Sequence, residues 1–173
     1  MMLQELLLLA VIILLRILAA LALSAGTLYS GMRMLDSLTS GIDEWKEIQK
    51  GNAAIGILFV AVMASLILLV GPMIDGVVST INPGMLAPVP IIIFVLSVFN
   101  FLIGLLAGVV VLFIAINLID RITPDVEEFA ELKKGNAAVA LIFAAALLLV
   151  AVTARAPFES FFALLQTAES ALL

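Results

Sequence analysis

Four stretches of this chain are long, apolar and nearly free of charge, and few folds can accommodate that pattern. They cover residues 6–32, interrupted only by Arg16, then 51–74, about 91–119, and 135–154. A helix needs roughly 20 apolar residues to cross a hydrocarbon core about 30 Å thick. The uncharged stretch 76–119 is too long for one span. The turn-rich piece from Asn82-Pro83-Gly84 to Pro88 and Pro90 divides it. Hydrophobic residues make up 65% of the chain and charged residues 12%, well below the roughly 25% of soluble domains. The expectation is an all-α, polytopic membrane protein with four transmembrane helices.

The same composition excludes several functions. Lys plus Arg is 8 against 13 for Asp plus Glu, with no basic cluster, so no nucleic-acid partner is expected. The chain has no Cys and no His. Disulfides, thiol catalysis and the common zinc sites are therefore closed to it, and neither a cofactor nor an enzymatic activity is expected. The leading residues carry Glu5 and no Lys or Arg, so the first stretch reads as a true span rather than a signal peptide.

Orientation follows from Lys and Arg in the short loops. Segment 33–50 holds Arg33, Lys46 and Lys50, and segment 120–134 holds Arg121, Lys133 and Lys134. Segment 71–90 holds none. The two charged loops are expected in the cytoplasm, and both termini outside the cell membrane.

A shift of 84 residues superposes the chain on itself. Over positions 36–61 it gives 11 identities in 26, among them Asp36/Asp120, Thr39/Thr123, Glu44/Glu128, Glu47/Glu131 and Lys50/Lys134. Apolar composition alone would not align these polar residues. The chain thus reads as one membrane domain built of two units, 1–83 and 84–173. Each unit is a span, an amphipathic segment, a second span, a Pro break (Pro72, Pro157) and a further segment. Two spans per unit give the halves the same orientation, so this is a parallel repeat.

The segment between paired spans carries helix punctuation. Thr123 is an N-cap candidate, Pro124 suits the first helical position, and Asp125, Glu127 and Glu128 complement the positive dipole end. Val126, Phe129 and Leu132 recur at three-residue spacing, as do Ile42, Trp45 and Ile48. Short helices lying on the membrane interface are expected, anchored by Trp45 and Phe129. Each segment ends in Lys-Gly-Asn-Ala-Ala, at 50–54 and 134–138. Gly can end the short helix in a left-handed conformation. Lys50 and Lys134 can reach the lipid phosphates. Asn52 and Asn136 can cap the next helix, or face each other across a polar constriction.

With its later Gly71-Pro72, the string from Ile42 through Trp45, Lys50-Gly51-Asn52 and Gly56 resembles the YjfL-like inner-membrane proteins, a family known as a domain of unknown function. Residues 123–140 carry the same pattern. The resemblance implies a small four-span membrane protein and supplies no reaction, ligand or catalytic residue.

Ionisable groups inside spans are costly and point to partners. Arg16 lies about ten residues into the first span, some 15 Å of helix, and its repeat mate is Asn100. Asp75 and Glu159 follow the two Pro breaks, and an Arg16–Asp75 pair is the sharper expectation for them. Capping of backbone groups freed by the prolines is the plainer one. Gly104 and Gly108 form a small-residue face matched by Ala20 and Ser24 on the first span. In the tail, Phe158, Phe161, Phe162, Leu165 and Leu172 alternate with Glu159, Ser160, Gln166 and Glu169, as in an amphipathic helix on the outer interface or against a neighbour. Two functions stay open. One is an oligomeric channel or transport-related protein for small ions, with polar positions Arg16, Asn52, Asp75, Asn100, Asn136 and Glu159. The other is a structural protein that self-assembles in lipid or docks a soluble or membrane partner through its amphipathic helices.

Overall fold

The computed structural model describes residues 2–39, 43–85, 87–122 and 128–172. Six helices follow one another: α1 (Met2–Leu38), α2 (Glu44–Gln49), α3 (Ala53–Thr80), α4 (Pro88–Ile122), α5 (Glu128–Lys133) and α6 (Ala137–Leu172). Among the described residues every regular element is a helix. α1, α3, α4 and α6 are long and apolar enough to cross a membrane. The chain is a multi-pass membrane protein of four spans with two short connecting helices.

α4 begins at Pro88, three residues before the expected start. Pro88 and Pro90 fall in its first turn, where a missing N–H costs nothing because those donors have no intrahelical acceptor. The expected Pro breaks are absent. Pro72 lies inside α3 and Pro157 inside α6, and both helices run on. The tail is therefore the end of α6 rather than a separate surface helix. A proline removes one backbone hydrogen bond, and in lipid an unwound segment would leave several more groups without partners. Continuing the helix is the cheaper course. The side chains at 165, 166, 169 and 172 lie outside the described set. So do Ile42, Thr123, Pro124, Asp125, Val126 and Glu127, which carry part of the amphipathic pattern.

The helices do not share the core equally. In its most apolar window α3 is 56% buried and α1 only 6%. α3 packs against α6 most extensively, then against α4 and α1, while α4 and α6 pack together. Leu58, Val62, Leu66, Leu69 and Val70 give α3 a largely apolar centre, with Ser65 buried among them. Glycine sets the closest approaches. A methyl group on Gly108 would sit 3.2 Å from Leu66 and Val70, and one on Gly104 would sit 3.0 Å from Met73 and 3.3 Å from Phe162. The small face read on the third span is thus the seat of α4 on α3 and α6.

Candidate functional site

Polar residues gather at two levels of the bundle. One is the corner end, where α2 turns into α3 and α5 into α6. The other is the far end, near the C-terminus of α3. On α1, Arg16 precedes Asp36 by 20 residues (36 − 16), or about 30 Å of helix. On α6, Arg155 follows the first helical residue, Ala137, by 18 residues (155 − 137), or about 27 Å. The apolar band between the two levels is as thick as the hydrocarbon core of a bilayer.

Each corner is built the same way. Gly51 and Gly135 have φ of +86° and +85°, the left-handed region expected of them. The Gly51 N–H donates to the Ile48 carbonyl (2.9 Å) and the Asn52 N–H to the Glu47 carbonyl (3.0 Å). Gly135 to Leu132 and Asn136 to Glu131 repeat the pattern at 3.0 Å each. These paired bonds form the glycine-terminated helix end known as the Schellman motif. The asparagine that completes it also starts the next helix. Asn52 Oδ1 accepts from the Ala54 and Ile55 N–H groups at 3.1 and 3.2 Å, and Asn136 Oδ1 accepts from Ala138 and Val139. One residue thus closes a helix and opens another, leaving no loop between them.

The two corners also touch. Asn52 Nδ2 donates to the carbonyls of Leu132 (3.0 Å) and Lys133 (3.2 Å), at the end of α5. Asn136 Nδ2 instead donates to Glu131 within its own unit, at 3.0 Å. The asparagines are therefore caps and tethers, and do not face each other across a constriction. The Lys50 ammonium holds the Glu47 carboxyl below its ordinary pKa, helped by Asn52 and by Lys133 of the other unit. Glu131 is lowered by Asn136 first and then by Lys134. Lys50 pairs with Glu47 and Lys134 with Glu131, each at 2.7 Å, and both lysines remain exposed.

The anchors repeat as well. Trp45 stands against Phe59 with ring centroids 5.5 Å apart, and Phe129 stands against Phe143 at 6.2 Å. Trp45 is 55% exposed, as an interface residue should be. Glu44 is buried against the hydroxyl of buried Thr39, and its repeat mate Glu128 is buried too. The amphipathic pattern gave no hint of these buried carboxylates. Their identity in both units was the available signal.

At the far end the expected Arg16–Asp75 pair is not made. Arg16 Nε donates to the carbonyl of Ile81, the C-cap of α3, at 2.8 Å, and Asp75 is exposed. Helical side chains lean toward their own N-terminus, so Arg16 reaches past the level of Asp75 to the carbonyl beyond it. Glu159 pairs with Arg155, four residues before it, at 2.7 Å. Asn100 is buried, and it lines a cavity of about 130 Å³ with Pro72, Met73, Gly76, Ser97, Glu159 and Phe162. Sequence reasoning missed Ser97, although it lies one helical turn before Asn100. It also missed Ser65, whose fully buried hydroxyl has no hydrogen-bond partner among the described residues.

The cavity can offer oxygen ligands: the Asn100 amide, the Ser97 hydroxyl and the Glu159 carboxylate. Among the described residues no group of three or more carboxylates is placed to hold a metal ion.

No curated protein and no solved structure matches the chain. The family described as Domain of Unknown Function (DUF350) matches it twice, over residues 2–99 and 91–171. These tandem matches span nearly all of the sequence: the chain belongs to the DUF350 family and carries two of its units.

Proposed function

We propose that the protein is a non-catalytic, oligomeric membrane protein that passes small cations, with the Ser97–Asn100–Glu159 cavity as the mouth of the path. The observation that carries this reading is the oxygen-lined cavity at the level where the apolar band ends. Hard cations are bound by such oxygen groups, and an acidic mouth favours them over anions. Below the cavity Gly104 closes on Met73 and Phe162, and Gly108 on Leu66 and Val70. A single chain is sealed there, so the path runs between copies. The Lys and Arg of segments 33–50 and 120–134 support a reading with both corners on the cytoplasmic side and the cavity on the outer side.

Flux of sodium and potassium into proteoliposomes tests the reading. Wild-type protein is expected to conduct, and Glu159→Gln with Asn100→Leu to lose at least tenfold of that flux. Protein that inserts correctly but passes neither ion would overturn it. A scaffold role is the second reading, favoured by the Asn52 tether that holds the α2–α3 corner to the end of α5. A partner captured by wild type and lost on changing Trp45 and Glu131 would support it.

A further inference from the structure

The two units do not bury equivalent surfaces, and the difference has a direction. The stripe Ala54, Leu58, Ala61, Ser65 and Leu69 on α3 is buried. Its repeat mates on α6 (Ala138, Ile142, Ala145, Leu149 and Thr153) are all exposed, with Ile142 at 64% and Leu149 at 63%. The first helices differ in the same way. Ser97, Phe101 and Leu112 of α4 are buried, while their mates Ile13, Ile17 and Leu28 of α1 are 57%, 51% and 41% exposed. Each exposed set falls on one helical face.

Both differences have one cause. Within the chain, unit one presents α3 to α4 and α6 of unit two. Applying the repeat to that contact calls for α6 to receive the first helices of a further unit. Among the described residues α1 makes no comparable contact with α6. The contact between units is thus head to tail, with one side of it left open at each end of the chain. A contact of this kind closes into a ring or continues as an array when copies are added.

We propose that a second copy of this chain fills it: α1 of one molecule packs on the open face of α6 of the next, as α4 packs on α3 within one molecule. Helices in lipid associate by close packing at small residues, because lipid tails are as apolar as leucine. The α6 face keeps Ala138 and Ala145, and α1 carries Ala20 and Ser24 where α4 has Gly104 and Gly108. The internal contact also fixes the register. A Cβ built on Gly108 lies 3.8 Å from the Leu69 Cβ. Subtracting 84 from the first and adding 84 to the second places Ser24 of one copy beside Thr153 of the next. That separation is the usual one for a disulfide, about 3.8 Å.

The chain has no cysteine, so the test is free of background. Two full-length chains with different tags, one Ser24→Cys and one Thr153→Cys, are co-expressed and oxidised in membranes with copper phenanthroline. A reducible product carrying both tags is expected, at least fivefold above the yield when Thr153→Cys is replaced by Leu106→Cys, an exposed position on α4. Equal yields from the two pairs, or no such product, would overturn the proposal. So would a single copy per particle in lipid nanodiscs, the result if lipid covers both faces. The inference stands on the repeat and not on ion flux: absence of flux in a cross-linking protein would overturn the proposed function alone, and a single copy per particle would overturn both.

Discussion

The Asn52 amide nitrogen lies 3.0 Å from the Leu132 carbonyl oxygen, a hydrogen bond that joins the first repeat unit to the second. The same side chain caps α3 through its oxygen. Its two ends can be separated by mutation. Asn52→Asp keeps the capping oxygen and loses the donor to α5, whereas Asn52→Ala loses both. A lost N-cap costs about 1 kcal/mol, and a lost hydrogen bond between neutral groups a similar amount. Unfolding in mild detergent should rank wild type above Asn52→Asp and Asn52→Asp above Asn52→Ala. Equal losses from the two substitutions would place the whole role in the bond to α5 and none in the cap.

Glycine substitutions should divide by backbone conformation. Gly51→Ala and Gly135→Ala force a side chain into a left-handed conformation, at about 1–2 kcal/mol each. Gly71→Ala sits within α3, where the added methyl meets nothing within 4 Å. It should be neutral or stabilise by roughly 0.5–1 kcal/mol. Melting temperatures of the three variants check the order.

Arg16 and Asp75 should behave independently. Arg16→Met removes the donor to the Ile81 carbonyl, and hydrogen bonds to charged groups are worth about 1.5–3 kcal/mol. Asp75→Asn alters an exposed residue and should cost less than about 0.5 kcal/mol. A double-mutant cycle should give no coupling between them. Strong coupling would restore the ion pair that the sequence suggested.

Acid should loosen the second corner. The pKa of Glu131 lies below its ordinary value because Asn136 and Lys134 favour the carboxylate. A lowered folded pKa stabilises the protein above the ordinary carboxylate range, and that contribution is lost as pH falls through the folded value. Wild-type melting temperature should therefore drop between roughly pH 5 and pH 3, with a shallower drop in Asn136→Ala. Identical pH profiles would remove Glu131 from the account.

Much of this fold was legible in the residues. Spans are set by runs of apolar side chains, and the corners by glycine and asparagine, whose backbone preferences are local. The duplicated Lys-Gly-Asn therefore announced both Schellman ends and both caps. What could not be read depended on geometry between helices. Pro72 and Pro157 looked like breaks because their cost is local, whereas the lipid that holds the helix together around them is not. Arg16 was matched with Asp75 by charge and depth. Its actual partner, the Ile81 carbonyl, has no side-chain signature. Nor does the repeat reveal that Asn52 reaches across to α5 while Asn136 stays within its own unit, since identical residues occupy both positions.

The most direct test of the account is the sidedness of its two corners. Single variants Lys50→Cys and Lys134→Cys place a thiol at exposed positions in a chain that otherwise has none. A membrane-impermeant maleimide applied to sealed vesicles of known orientation should label both from the same side. Labelling from opposite sides would contradict the parallel repeat and the Asn52–Leu132 contact together.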